Sequence, residues 1–434
     1  MNVSDIINSV YRGYALYTIE HRAIPNLMDG LKPVQRLLVY AMNRAGQGKH
    51  KNSDIAGRLA GYGYAHGETS AQDALALLAA DWNNQVPVFN QHGTFGSRYN
   101  QKAAAARYIY VSKRDDLKSH FSEDNAVPSP DPDIDAPLYY LPQVPWVLLN
   151  GIQGIAVGFA TLILPRELKS IKDAIVRILD GKPVGSIPVA SFTGRGECWQ
   201  DSDNPKKFYF EGLLASEKTY RGRTTVNVID LPYRVTRSVY FKSLETLVES
   251  GKIENFQESS GKDGFCFNIT MDKEQSVEYK KDPIGYLKLR KSYVENITVV
   301  DHEGNLKVFE SPIDLINYWV QVRLEFYGVE KSRDLARMSV EFQELTAVEH
   351  FLVSVVTGKM EPWTYKSRKL LEMELKSIYT NVHDETIQKL ASMSAYKFTV
   401  EEIDKVVSKS KELVVSIAAL KKKSPQTIMK ENLK

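Results

Sequence analysis

Arg107 and Tyr108 stand side by side at the end of the small-residue run AAAARYIYV, residues 103–111. A guanidinium binds a phosphate bidentately and offsets charge gained in a transition state, and a phenol beside it is a potential nucleophile. The chain has 23 tyrosines, so any one is a structural residue by default, and four alanines suit close packing equally well. Local sequence leaves both readings open: core packing, or a nucleophile set against an anion. Other chemistries have less support. There is no GxxxxGK[ST], and GYGYAHG is not GxGxxG, so its glycines read as turn residues and no nucleotide-triphosphate site is expected. Asp131, Asp133 and Asp135 alternate in DPDIDAP, a spacing that can hold magnesium beside phosphate. Prolines interleave them and no hydrophobic strand positions them, so an acidic surface loop is the reading. Cys198 and Cys266 lie far apart without CxxC or HxxxH companions, which argues against a disulfide framework and a structural zinc site. No metal site is expected on this chain.

The net charge of +3 is close to neutral, but its distribution is uneven. Residues 31–66 hold Lys32, Arg36, Arg44, Lys49, Lys51 and Arg58 against a single acid, Asp54. Residues 98–114 add Arg98, Lys102, Arg107, Lys113 and Arg114 with no acid. Such local excess suits a polyanion, and a solvated basic face is the alternative.

The elements that must position these residues can be read coarsely. At 434 residues the chain is too long for one core, and two to four domains are expected. Residues 4–22 read as an amphipathic helix capped by Ser4, with Ile7, Tyr11, Tyr14 and Ile19 along one face. Pro25 and DGLKP break the chain, and a second helix follows Pro33. GYGYAHGETSAQDALALLAADW is a glycine-rich turn feeding a helix, with Thr69 and Gln72 at capping-box spacing. Helix, turn and capped helix in a basic setting are consistent with a helix-turn-helix. Residues 122–142 read as a loop, residues 147–161 as a β-like run, and residues 165–310 as an α+β segment. After Pro312 a stretch of 44 residues is mostly helical, roughly 65 Å of helix. A second helix at about 400–423 suggests an antiparallel coiled-coil arm with a tip. No apolar run of transmembrane length and no signal peptide is present, and with two scattered cysteines a reducing cytoplasm is the expected setting.

Taken together, the motifs resemble the DNA breakage–reunion part of type IIA DNA topoisomerases. RAIPNLMDGLKPVQRLLVYAM is similar to the entry of the winged-helix domain, and YAHGETSAQDAL to the histidine–glycine–acid motif and the helix after it. GTFGSR and AAAARYIYV resemble the family's loop and catalytic arginine–tyrosine element. LPQVPWVLLNGIQGIAVGFAT resembles the segment carrying a DNA-wedging isoleucine, and VIDLPYRVTRSVYFKSLETLVESGKIENF the tower. LASMSAYKFTVEEIDKVV and SPQTIMKENL resemble the exit-gate end of the coiled coil. The resemblance implies an α+β multidomain fold: a winged-helix cleavage domain at 1–146, a tower with a mixed sheet at 147–311, and a coiled-coil arm with its dimerisation gate at 312–434. The wording AAAARYIYV and the chain length point to the bacteriophage branch of the family.

By the same resemblance Tyr108 is the nucleophile that forms a 5′-phosphotyrosine, Arg107 stabilises the pentacovalent phosphate, and Arg36 and His66 hold it. Lys32, Lys51 and Tyr64 fall at DNA-contacting positions, although Tyr64 stands where bacterial relatives have a histidine. Ile155 is the apolar wedge, and a strand-buried isoleucine is the alternative. Thr69 and Asp73 fall where bacterial enzymes contact quinolone drugs. Nothing in the chain resembles the family's ATPase, magnesium-binding or DNA-wrapping domains. ATP and magnesium are therefore expected on a large partner subunit, with double-stranded DNA and a second copy of this chain as the other partners. No membrane partner is expected. Relaxation and decatenation, rather than negative supercoiling, are the expected activities. The rivals are a non-cleaving winged-helix DNA-binding dimer and another tyrosine-based DNA enzyme, a recombinase or relaxase. The second lacks its clusters of arginines and histidines or its histidine-rich metal motif.

Overall fold

A computed structural model describes residues 11–190, 193–261 and 264–433. They form two compact units, one ending at Val320 and the other Gln321–Asn432. In the first, helix α1 (Arg12–Thr18) runs on as a π-helical turn, Ile19–Ala23. Ser4 and Ile7, expected to cap and face this helix, lie outside the described residues. Tyr11 and Tyr14 are exposed; of the expected stripe only Ile19 turns inward, beside Ala23 and Ile24.

The DGLKP break is a buried turn. Gly30 has φ +67°, and a Cβ there would lie 2.3 Å from the Val147 nitrogen, so only glycine fits. Asp29, fully buried, accepts from the Leu31 amide (2.9 Å) and the Tyr140 amide (3.2 Å). Pro33 then opens α2 (Pro33–Arg44), where a missing N–H costs nothing. Gln35 reaches back to accept from the Lys32 amide at 2.9 Å, satisfying a donor that the helix start leaves open. Leu38, Val39, Ala41 and Met42 supply the buried face.

Helix α3 (Asn52–Gly57) continues as a 3₁₀ turn to Tyr62, ends at Gly63 with φ +84°, and α4 (Glu68–Ala79) follows. The capping box expected from Thr69 and Gln72 does not form. The helix begins at Glu68, so Thr69 already lies inside it, and Gln72 instead donates to Glu68 Oε1 at 2.7 Å. A three-stranded antiparallel sheet completes this region: β1 (His50–Lys51), β2 (Phe89–His92) and β3 (Tyr110–Lys113), in the order β1-β3-β2. Register His50↔Val111 and His92↔Tyr110 pins β3 in the centre.

The apolar run at 147–161 is not one strand. Its start is helix α5 (Trp146–Asn150), and the rest belongs to a hairpin, β4 (Ile152–Ile155) with β5 (Ala160–Ile163). Both halves are apolar, and apolarity alone does not separate a buried helix from a strand. A Cβ on Gly154 would lie 2.0 Å from the Ala23 carbonyl oxygen, so glycine lets the hairpin lie directly on the segment after α1.

Beyond it come two sheets, and both are wholly antiparallel rather than the mixed sheet expected at 147–311. One holds β6 (Cys198–Gln200), β7 (Lys207–Glu211) and β12 (Arg290–Val294) in the order β12-β7-β6. The other holds β8 (Leu213–Tyr220), β9 (Arg223–Asp230), β10 (Asn255–Glu258) and β11 (Phe267–Met271) in the order β8-β9-β11-β10. Alternation in RTTVNVID sends Val226 and Val228 inward, where they meet Phe267, Ile269 and, from a helix over Arg237–Glu249, Tyr240 and Leu244. Thr236 Oγ1 caps that helix by accepting from the Val239 amide at 3.3 Å.

His120 makes part of this unit sensitive to acid. Its ring meets Trp146 edge-on at 5.2 Å, and its Nδ1 accepts from the Gln143 amide at 3.2 Å. Burial, reinforced by Lys172 and opposed by Asp116, pushes its pKa down to about 4. The folded chain keeps the ring neutral while the unfolded chain protonates it near the ordinary value of about 6.5. Stability is therefore full above about pH 6.5 and falls, by up to about 3 kcal/mol, as pH drops towards about 4. Urea unfolding at about pH 7 and about pH 4.5 is expected to show this loss, and His120→Gln is expected to shrink it. An equal loss in the variant would contradict it.

The expected long helix spans Pro312–Val356, with the part from Gln321 onward in the second unit. A helix at Val400–Lys422 runs beside it. Lys331 Nζ donates to the Lys421 and Lys423 carbonyls (3.0 and 2.6 Å), while Glu341 pairs with Lys409 at 3.2 Å, so the two helices are antiparallel. Between them helices Arg368–Ile378 and Asp384–Ala391 bury Leu371, Leu375, Ile387 and Leu390 against Phe351 and Val355, forming a tip with its own core. No described helix is long and apolar enough to cross a membrane.

Candidate functional site

Tyr108 ends a 3₁₀ turn, Ala106–Tyr108, and only Ile109 separates it from β3. Ile109 and Val111 are buried, and the Ile109 carbonyl accepts from the Asn52 amide at 3.0 Å, so the start of the strand is anchored directly after the turn. The Tyr108 ring is left 68% exposed, with the Arg107 guanidinium 5.6 Å from its centroid. For Arg107 and Tyr108 core packing is excluded, while Ile109 and Val111 at the end of the same stretch enter the core. Ala104 and Ala105 are exposed, and the run is an extended strap tied to Thr94 by the Ala104 amide at 2.9 Å. Its short side chains leave open a groove of about 940 Å³, lined also by Asn52, Asp73, Lys102 and Arg107.

His66 lies in a cluster that sequence reasoning captured only in part. Its ring meets Tyr64 edge-on at 5.3 Å, and its Nε2 is 3.5 Å from the Tyr17 hydroxyl. Burial raises the Tyr64 pKa, opposed by the Arg22 charge and reinforced by Tyr17. Arg22 and Tyr17 are the residues the sequence did not single out. Arg22 opens the quoted stretch RAIPNLMDGLKP, but only the fold shows that it stands near Tyr64. Thr69 and Asp73, four apart on α4, are both exposed on one face, and Asp73 shares the groove with Arg107.

Arg36 departs from expectation. Its Nε and Nη2 donate to Asp29 at 2.6 and 3.0 Å, its Nη2 also reaches the Leu31 carbonyl at 3.1 Å, and its side chain is 11% exposed. The fork that would grip a phosphate is committed to the buried turn. Lys51 is exposed on β1, at the edge of its sheet. Lys32 Nζ donates to the Gln153 carbonyl at 2.7 Å, and burial, with Arg234 nearby, lowers its pKa. Ile155, two residues further along the hairpin, is 79% exposed, so the strand-buried alternative is excluded. Asp131, Asp133 and Asp135 are exposed in a turn where the Asp133 amide donates to Asp131 at 3.0 Å, an acidic surface loop. Among the described residues no three His, Cys, Asp or Glu side chains are grouped so as to hold a metal ion.

The fold is that of a topoisomerase II core. A crystal structure of the Plasmodium falciparum topoisomerase II DNA-binding, cleavage and re-ligation domain superposes with a TM-score of 0.87 at 22% identity, over 98% of this chain and 62% of that one. The family model for the A subunit of DNA gyrase/topoisomerase IV matches residues 22–434. The medium subunit of the DNA topoisomerase of Enterobacteria phage T4 is 34% identical over 423 residues, 94% of this chain and 93% of that one. The A subunit of DNA topoisomerase 4 from Streptococcus pyogenes is 29% identical over 330 residues, 70% of this chain and 40% of that one. The chain belongs to the family of DNA gyrase/topoisomerase IV A subunits, the breakage–reunion components of type II DNA topoisomerases.

Proposed function

We propose that this chain cuts and reseals both strands of a DNA duplex through Tyr108, as part of an ATP-dependent type II topoisomerase that relaxes and decatenates DNA. The observation that carries the reading is the exposed Tyr108 phenol beside Arg107, on a chain matched to topoisomerase subunits from residue 22 onward. The Tyr108 hydroxyl gives up its proton to solvent as its oxygen attacks a backbone phosphorus, the bond to the 3′ oxygen breaks, and that oxygen takes a proton from solvent to leave as a free hydroxyl, so the step is proton-neutral. The product is a 5′-phosphotyrosine. A phenolate is a reasonable leaving group, so the aryl phosphodiester keeps the bond energy and resealing runs the same step backwards without ATP. Arg107 faces the charge that accumulates on the phosphate, and His66, steadied by Tyr17 and Tyr64, offers a hydrogen bond to it. Lys32 and Lys51 hold neighbouring phosphates. Arg36 acts one step removed, by fixing the turn that carries Lys32.

Residues 1–146 serve as a winged-helix cleavage domain, 147–311 as a tower, and 312–434 as an arm whose tip pairs with a second copy to form an exit gate. Ile155 inserts between base pairs, at a cost of a few kcal/mol of unstacking that contacts on the bent duplex offset. Thr69 and Asp73 form the face for quinolone contact. Magnesium and ATP are supplied by a large partner subunit.

Reconstitution tests this. With a candidate large subunit, magnesium, ATP and supercoiled plasmid, the mixture is expected to relax the plasmid. Stopping with detergent should leave protein on 5′ ends, and either component by itself should do neither. Cutting by this chain alone would refute the partner requirement. A mixture that binds duplex and never cuts would favour the non-cleaving binding dimer.

A further inference from the structure

Beside the wedge hairpin lies a cavity of about 410 Å³ whose charged lining is wholly cationic: Lys32, Arg98 and Arg234, with no carboxylate among the lining residues. Arg98 is satisfied by Asp230 at 3.0 Å. The other two share a neutral partner. Lys32 Nζ donates to the Gln153 carbonyl at 2.7 Å, and Arg234 Nη1 donates to the Gln153 side-chain oxygen at 2.6 Å. Two cations converging on one neutral residue leave charge to be met by an anion, and an ammonium beside a guanidinium suits a phosphodiester oxygen pair.

The backbone gives a second, independent sign. Arg234 has φ +61°, a left-handed conformation that glycine or asparagine adopts readily and arginine does not. The turn holding it is overdetermined. The Val235 amide bonds to the Pro232 carbonyl at 3.0 Å, the Tyr233 carbonyl accepts from the Tyr293 hydroxyl at 2.8 Å, and Tyr233 packs on Phe210 at 5.2 Å. Strain kept at a cation by a rigid support is the pattern of a residue retained for what it binds.

We propose that the Lys32–Arg234 cavity is a phosphodiester site for the duplex, and that Gln153 ties it to Ile155 so that the wedge sits at a fixed distance from the phosphate held there. Gln153 is a positioning residue: it lies two residues before Ile155 on β4 and accepts hydrogen bonds from both cations. The inference rests on the proposed DNA cleavage function and adds Arg234 and Gln153 to the phosphate grip of Lys32.

The test uses the full chain with an end-labelled duplex, measuring affinity against salt and bending by end-to-end energy transfer. Arg234→Gly removes the charge while suiting the left-handed backbone, so it is expected to melt like the wild type. Its salt slope is expected to fall by about one unit, since each phosphate neutralised contributes about 0.9. Gln153→Ala is expected to keep the slope but bend the duplex less, a split that a purely structural role would not give. An unchanged slope in Arg234→Gly, or equal bending in Gln153→Ala, would overturn the proposal. If inorganic phosphate at constant ionic strength stabilises the wild type and not Arg234→Gly while the duplex slope is unchanged, the cavity takes a free anion and the duplex assignment falls. Cleavage by the wild type in the reconstituted enzyme is scored separately, so failure here leaves the Tyr108 reading standing.

Discussion

Tyr108→Phe is expected to lower strand cleavage by the reconstituted enzyme on the order of 10⁶-fold, the size seen when a nucleophile is deleted. The same change is expected to leave the fold and duplex binding intact. The Tyr108 ring is exposed, its hydroxyl makes no hydrogen bond to the described residues, and phenylalanine keeps the ring beside Arg107. Stability is therefore expected to move by no more than about 0.5 kcal/mol. Tyr110, two residues on in β3 and half-buried, is the internal control. Tyr110→Phe should cut like the wild type, because Tyr110 is held within the central strand of the sheet while Tyr108 stands outside it on the turn. Cleavage by both variants would move the nucleophile elsewhere, and loss of duplex binding in Tyr108→Phe would mean the phenol binds rather than reacts.

The largest stability effect is expected at Asp29. Its fully buried carboxylate accepts two bonds from Arg36 and one each from the Leu31 and Tyr140 amides. Asp29→Ala leaves an almost buried guanidinium without its counter-charge and two amides without their acceptor. Breaking one side of such a pair costs about 3–5 kcal/mol. Urea unfolding followed by circular dichroism should show a loss of that size, and Asp29→Asn, which keeps an acceptor, a smaller one. Because the same turn sets Lys32 and the start of α2, duplex affinity should weaken as well. A loss below about 1 kcal/mol would show that the pair does not hold the turn.

These two sites show what was legible in the sequence. AAAARYIYV displayed its chemistry in residue order, so the Arg–Tyr pair could be singled out locally. Its alanines could not be placed, since small residues serve a packed core and an open groove equally well. DGLKP was legible as a break, because Gly and Pro act on their own backbone. The partner of Arg36 was not, because pairing it with Asp29 requires the turn between them. Tyr17, Arg22, Gln153 and Arg234 escaped notice for the same reason: each gains its role from a residue the fold brings close, 49 positions away for Tyr17 and His66 and 81 for Gln153 and Arg234. The long helix after Pro312 was read correctly because helical character persisted over 45 residues. The short α5 was not, because five residues are too few to carry a period.

The most direct measurement identifies the covalent adduct itself. Cleavage complexes trapped with detergent would be digested with nuclease and trypsin, and the nucleotide-bearing peptide sequenced by mass spectrometry. Trypsin cuts after Arg107 and Lys113, so the expected adduct is on the peptide YIYVSK, with the 5′-phosphate on Tyr108 and not on Tyr110. An adduct on Tyr110, on any other peptide, or through a 3′-phosphate would contradict the account.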